Sequence, residues 1–344
     1  MQGRLKQGLT PWFAACFFVC AGAMLATEAL ANESTAPKLP GLMKETESHD
    51  FECVPLPPRV TVQGQMYKWR NAQGQWVYSD QPPDDPRRES QILNAKHHGL
   101  ALDLSLRIHG ESGVSFLRDQ IQADTQQLAN LLARYLPQHS FPAIRLNIQI
   151  FSDQDLYQQY LQEQAPQLNP QAIGFYSLRT HEAVVMRQNR AEDTLRILRH
   201  EVVHLLMASL FGPTPHWLNE GLAENLEVLD LQAQLKLLAP SVHHYQRVQQ
   251  QGIAWPLAEF VTFASPEWAQ LSAPDLYAQA WALVRYLLEP TQEHHLRALF
   301  KTLWAQRCQP FDSLAWWQQT TDLQHFEREW QAWLDAGLPK KLRF

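Results

Sequence analysis

Two histidines four residues apart, with a glutamate directly after the first, are the side chains in this chain best equipped for chemistry: His200-Glu201-Val202-Val203-His204. On a helix, residues at i and i+4 lie on one face, so both imidazoles can reach the same metal ion. Glu201 is rotated off that face, too far round to be a ligand but near enough to take a proton from water activated by the ion. Fifteen residues separate His204 from Glu220, which lies within Pro215-His-Trp-Leu-Asn-Glu-Gly-Leu-Ala-Glu224 at the expected start of a second helix. Two histidines and one carboxylate leave a fourth position on zinc for water, which is the arrangement of a catalytic rather than a structural site. His200, His204 and Glu220 are therefore the expected zinc ligands and Glu201 the expected general base.

These residues need rigid elements to hold them. Leu195, Ile197, Leu198, Val202, Val203, Leu205 and Leu206 follow helical spacing, which predicts a helix over Asp193 to Leu210 around the histidines, and a second is expected over Trp217 to Leu237. Upstream, Leu102 to Ile108 alternates, Val114 to Leu136 is helical, and Ile144, Leu146, Ile148 and Ile150 share one face of a half-buried strand. Asp153 to Gln164 reads as a short helix, and Gly174–Ser177 with Ala183–Met186 reads as a hairpin. Helices are expected again over Asp275 to Leu288, His294 to Gln306 and His325 to Ala336. Strands first and helices afterwards imply an α+β fold: a short N-terminal β-hairpin module, then a domain with a small mixed sheet and a mostly helical C-terminal half.

The pairing of His-Glu-x-x-His with Trp217-Leu-Asn-Glu-Gly-Leu-Ala223 resembles the gluzincin clan of zinc metallopeptidases, both thermolysin-like and aminopeptidase-like. The resemblance implies zinc as cofactor, Glu220 as third ligand, and for Glu224 the role of a carboxylate orienting a ligand histidine. A solvent-facing helix glutamate is the other reading of Glu224. Residues from about 143 to 336 resemble the peptidase-like bacterial proteins of unknown substrate in which a shortened gluzincin core recurs, through the strand and hairpin before the histidines and Tyr277-Ala-Gln-Ala-Trp-Ala-Leu-Val-Arg-Tyr286 after them. No Gly-x-Met-Glu-Asn run, the amine-gripping segment of the aminopeptidases, precedes His200, so internal peptide bonds are the expected substrate. Attack on a peptide carbonyl puts negative charge on its oxygen, and Tyr277 is the candidate to stabilise it, with a core aromatic as the alternative and His216 as a weaker candidate.

Other features set the context. Arg4 and Lys6 precede an apolar run from about Trp12 to Ala26 that ends in Ala29-Leu-Ala31, the plan of a secretory signal peptide with cleavage expected after Ala31. The run is shorter than a bilayer-spanning helix requires, and no stable membrane insertion is expected after cleavage. Removal would leave 344 − 31 = 313 residues, enough for one large domain and a small one. The expected division is 1–31 signal peptide, 32–58 linker, 59–90 small aromatic domain and 100–340 metallopeptidase-like domain. Lys and Arg total 29 against 35 Asp and Glu, without a basic cluster, so no nucleic-acid partner is indicated. Cys53 and Cys308 would be the two cysteines left in an oxidising compartment, the periplasm, and a disulfide between them is expected, two free thiols being the alternative.

Within 59–90, Gln65-Met-Tyr-Lys-Trp-Arg70, a Gly-containing turn and Gln75-Trp-Val-Tyr78 form a hairpin signal that stops at Ser79-Asp-Gln-Pro-Pro83. This segment resembles a small domain of unknown function found at the N-termini of Gram-negative envelope proteins and implies a cell-envelope partner. The adjacent pairs His97-His98, His243-His244 and His294-His295 read as surface histidines. Trp304, Trp316, Trp317, Trp330 and Trp333 read as packing residues rather than sugar-stacking ones. Three functional classes follow: an exported zinc endopeptidase acting on peptides or proteins, a catalytically silent zinc-binding envelope protein, and a cell-wall-binding module.

Overall fold

The computed structural model describes residues 65–70, 76–79, 91–94, 100–110, 115–137, 144–166, 168–177, 179–230 and 236–344. The expected leader and linker, Cys53 and His97-His98 lie outside them. Near the N-terminus, β1 (Gln65–Arg70) pairs antiparallel with β2 (Trp76–Ser79), Trp69 opposite Val77, as the aromatic pattern predicts. A strand the sequence reading did not include, β3 (Gln91–Asn94), pairs with the other edge of β1, so the hairpin is part of a three-stranded antiparallel sheet.

The larger domain is α+β. A four-stranded mixed sheet has the order β4 (Leu102–His109), β5 (Ile144–Phe151), β7 (Glu182–Met186), β6 (Gly174–Ser177). β4, β5 and β7 run parallel and β6 returns antiparallel to β7 at the edge. The parallel β4–β5 pair requires a crossover, supplied by α1 (Ser115–Ala133). β5 alternates in burial only over its first residues. Helices pack on it in addition to its two neighbouring strands, so its second half is buried throughout and even Gln149 is enclosed. α2 (Gln154–Gln164) begins at Asp153, whose carboxylate accepts hydrogen bonds from the Asp155 and Leu156 amides.

α3 (Ala191–Phe211) is the spine of the domain. It starts with Glu192 and Asp193, which suit a helix N-terminus, and from Thr194 onwards every residue except Arg196 is buried. A helix apolar on nearly all sides must be central, and α3 packs on β6, β7, α1 and α4 (His216–Leu226). Its last carbonyls are met from outside the helix: Arg307 donates to the oxygens of Ser209 and Leu210, and the Cys308 amide donates to that of Phe211. Cys308 is disulfide-bonded, with its partner outside the described residues. At the tip of the β6–β7 hairpin His181 meets the Ser209 hydroxyl at 3.0 Å, which ties the edge strand to the same helix.

The helix expected over Trp217 to Leu237 ends at Leu226, and Leu229–Asp230 is instead a short strand, β8. The reason is tertiary. The Glu227 carbonyl oxygen accepts a hydrogen bond from the buried Arg199 guanidinium, which removes it from the helical ladder. β9 (Leu237–Leu238) joins β8 to β10 (Leu342–Arg343) at the C-terminus. The remaining chain forms α5 (Val242–Gln251), α6 (Leu257–Phe260), α7 (Ser265–Gln270), α8 (Ala273–Leu287), α9 (Glu293–Ala305), α10 (Ser313–Thr320) and α11 (Leu323–Asp335). Trp316, Trp317 and Trp330 are buried in this helical half, in keeping with a packing role.

α4 and α8 approach closely because Gly221 faces α8. A Cβ at that position would come within 2.5 Å of the Ala280 carbonyl oxygen and of Val284 Cγ2. Backbone cannot yield as a flexible side chain would, so Gly221→Ala is expected to push α4 off α8. By the usual cost of overpacking it should destabilise the fold by about 1–3 kcal/mol. Thermal unfolding of the variant checks this, and an unchanged midpoint would show that the α4–α8 contact is softer than described.

Candidate metal centre

α3 and α4 bring the motif residues to one point. The His200 and His204 rings lie 4.8 Å apart, nearly perpendicular, on the face of α3 that meets α4. Glu220, just after the first turn of α4, places Oε2 at 3.6 Å from His200 Nε2 and 3.7 Å from His204 Nε2. One ligand atom from each of the three residues falls within 4.8 Å of the others.

Each imidazole is oriented by its other nitrogen. His200 Nδ1 is 3.2 Å from Glu227 Oε2, and His204 Nδ1 is 3.1 Å from Asn219 Oδ1. With Nδ1 facing an acceptor, each Nε2 is directed towards Glu220 and can offer a lone pair to a metal once it carries no proton. The group orienting His200 is thus Glu227, which the sequence reading did not include. The available signal was its place seven residues beyond Glu220, two helical turns on. Glu224 is buried rather than solvent-facing; one of its oxygens falls within 4.8 Å of a His200 nitrogen, and its Oε2 lies 2.7 Å from Nε2 of His244 on α5. That contact corrects the reading of His243-His244 as a surface pair: His244 is buried and only His243 is exposed. His295, half-buried against Trp317 and Phe326, departs from it in the same way, whereas His294 is exposed.

The residues present fit zinc. The donor set is two imidazole nitrogens and a carboxylate oxygen, and tetrahedral ligands on bonds of about 2 Å stand about 3.3 Å apart, close to the separations here. Among the described residues His200 Nε2 is a buried nitrogen without a hydrogen-bond partner, as a nitrogen reserved for a metal would be.

Glu201 is wholly buried beside this cluster, and neither carboxylate oxygen has a hydrogen-bond partner among the described residues. Its side chain lies against β6, where Gly174 leaves the room: a Cβ there would sit 3.2 Å from Glu201 Oε1 and 2.6 Å from Ile197 Cγ2. Tyr277 on α8 is buried with its ring edge-on to Trp268, 5.5 Å between centroids, and Trp268 in turn packs on the His216 ring.

Residues 57–96 match the family model described as "Domain of unknown function (DUF4124)". The match takes in β1, β2 and β3, including the strand beyond the expected 59–90 boundary. No curated protein matches the chain. All the residues of the candidate metal centre lie outside the DUF4124 segment.

The electrostatics follow from burial and crowding. Burial pushes the Glu201 carboxyl up to about 8; the His200 charge opposes the shift, while Glu220 and Glu227 reinforce it. Burial alone would make His200 easy to deprotonate, but contacts with Glu220 and Glu227 and the charges of Glu201 and Glu224 reverse this and hold its pKa well above the ordinary value. His204 is shifted the other way, burial outweighing Glu220. Burial, with Glu220, Glu224 and Glu201 nearby, drives the Tyr277 pKa well up, so its phenol stays protonated and able to donate.

A proton on His200 Nε2 competes directly with a metal. Zinc affinity is therefore expected to fall with falling pH by about tenfold per unit for each proton displaced, across the range below the raised His200 pKa. Chelator competition at pH 6, 7 and 8 measures it, and a flat profile would contradict the assignment of His200 as a ligand.

Proposed function

We propose that this chain is an exported zinc-dependent endopeptidase, with His200, His204 and Glu220 holding the ion and Glu201 acting as general base. The observation that carries this reading is the convergence of two Nε2 atoms and Glu220 Oε2 beside a buried carboxylate that has no other partner among the described residues. Zinc bound there would act as a Lewis acid on water and on the scissile carbonyl.

The chain's own groups supply the rest. Glu201, ionised, takes a proton from the attacking water as the water oxygen bonds to the peptide carbonyl carbon, and returns a proton to the amide nitrogen as the C–N bond breaks. An acidic limb in the rate profile should therefore lie below the value of about 8 that Glu201 has without metal, because a nearby cation lowers it. The Tyr277 phenol donates to the developing oxyanion. β6 is an edge strand, so its outer backbone groups suit an extended peptide laid beside Glu201.

Among the described residues no helix is long and apolar enough to cross a membrane. The leader-like first residues support export to the periplasm, with the DUF4124 segment as a contact to an envelope partner. The complete burial of His200 and Glu201 favours a second reading, a zinc-binding envelope protein without turnover. Elemental analysis with digestion of denatured proteins and peptide libraries tests both. Bound zinc without any cleavage would support the second, and absence of zinc from protein never exposed to chelator would remove both.

A further inference from the structure

Glu227 meets the metal centre with one carboxylate oxygen only. Oε2 lies 3.2 Å from His200 Nδ1, while Oε1 lies 3.6 Å from the Arg196 guanidinium. Arg196 is one turn before His200 on the same face of α3, so ligand and arginine reach the same carboxylate from one rigid element. The Glu227 backbone is held separately: Arg199 Nη1 donates to its carbonyl oxygen at 3.0 Å, and the same guanidinium is anchored by Nε on Asp124 at 2.8 Å and by Nη1 on Glu192 at 3.0 Å.

The carboxylate needs a partner on its outer side because it does not stand alone. Glu224 also approaches His200, its oxygen within 4.8 Å of a His200 nitrogen and a Glu227 oxygen. Two carboxylates at that distance in a buried site repel. Glu224 is held from behind by His244 at 2.7 Å, and Arg196 takes the corresponding place behind Glu227. Without the guanidinium, repulsion favours rotation of the Glu227 carboxylate away from Glu224, and that rotation also takes Oε2 off His200.

We propose that Arg196 is a positioning residue for the metal centre: by engaging Glu227 Oε1 it keeps Oε2 on His200 Nδ1 and so keeps His200 Nε2 directed at the ion. The proposal rests on the zinc reading above. Arg199 is a buried hub whose loss would disturb the fold, but the Arg196 side chain is 39% exposed, so its removal reports on the site.

The experiment is chelator competition for zinc at one pH, on the full chain, for wild type, Arg196→Met, Arg196→Lys, Glu227→Gln and the Arg196→Met/Glu227→Gln pair. Thermal unfolding of the metal-free proteins serves as control. Loss of a partner behind a ligand typically weakens binding 10–100-fold, so Glu227→Gln should fall in that range and Arg196→Met, one step further out, should weaken it about three- to tenfold. Arg196→Lys should recover most of the loss, and the double variant should bind no more weakly than Glu227→Gln alone. Should Arg196→Met prove unstable, Arg196→Gln, polar but uncharged, carries the same comparison.

Wild-type affinity in Arg196→Met would overturn the proposal while leaving the zinc reading intact. So would an equal loss on top of Glu227→Gln, since Arg196 would then not act through Glu227. Wild-type protein that binds no zinc would remove the zinc reading and the proposal with it.

Discussion

Glu201→Gln is expected to leave zinc content and folding unchanged while lowering peptide hydrolysis by roughly 10²- to 10⁴-fold, the range of lost general-base catalysis. The substitution keeps the shape that fits against Gly174 and removes only the proton-accepting oxygen. A single-step comparison on a denatured protein substrate, with metal content measured on the same samples, provides the check. Equal cleavage by both forms would mean that the activity comes from another protein or that Glu201 is not the base. Silence in both, with zinc present, would point to the non-catalytic reading.

The second large effect is loss of the metal itself. His200→Ala, His204→Ala and Glu220→Ala each remove one of three protein ligands, and each is expected to take bound zinc from one per chain to none at ordinary chelator concentrations. Activity should disappear with it. The three variants should not resemble one another in stability. His200 is fully enclosed and its removal leaves Glu227 facing a cavity, whereas Glu220 is partly exposed. Retention of full zinc by His204→Ala or Glu220→Ala would mean that the ion sits elsewhere, with the cluster of His200, Glu224 and Glu227 the next place to look, whereas retention by His200→Ala would exclude both clusters.

Some of this was legible in the sequence and some was not, for a physical reason that can be followed residue by residue. Spacing within one helix is a local property, so the shared face of His200 and His204, the helix around them and the hairpin before them are all readable from periodicity. So was the split between a small mixed sheet and a helical C-terminal half. The third strand β3, by contrast, pairs at a distance with β1 and has little alternation of its own. The early end of α4 at Leu226 contradicts a helical pattern that runs on to Leu237, because the Glu227 carbonyl is taken by an arginine from another helix.

The same distinction holds at the centre. The types of the three candidate ligands and the base are stated by the motif residues themselves, His200, Glu201, His204 and Glu220. Which carboxylate stands behind which imidazole was decided by how α4 and α5 pack around α3: Glu227 on His200, Asn219 on His204, and Glu224 turned to a histidine that adjacency alone had assigned to the surface. An i, i+4 relation is imposed by covalent geometry and one hydrogen-bond ladder. A contact between residues fifteen or more positions apart depends on where whole helices come to rest, and here that was set by a glycine at 221 allowing α4 against α8 and by arginines at 196 and 199 fixing the end of α4.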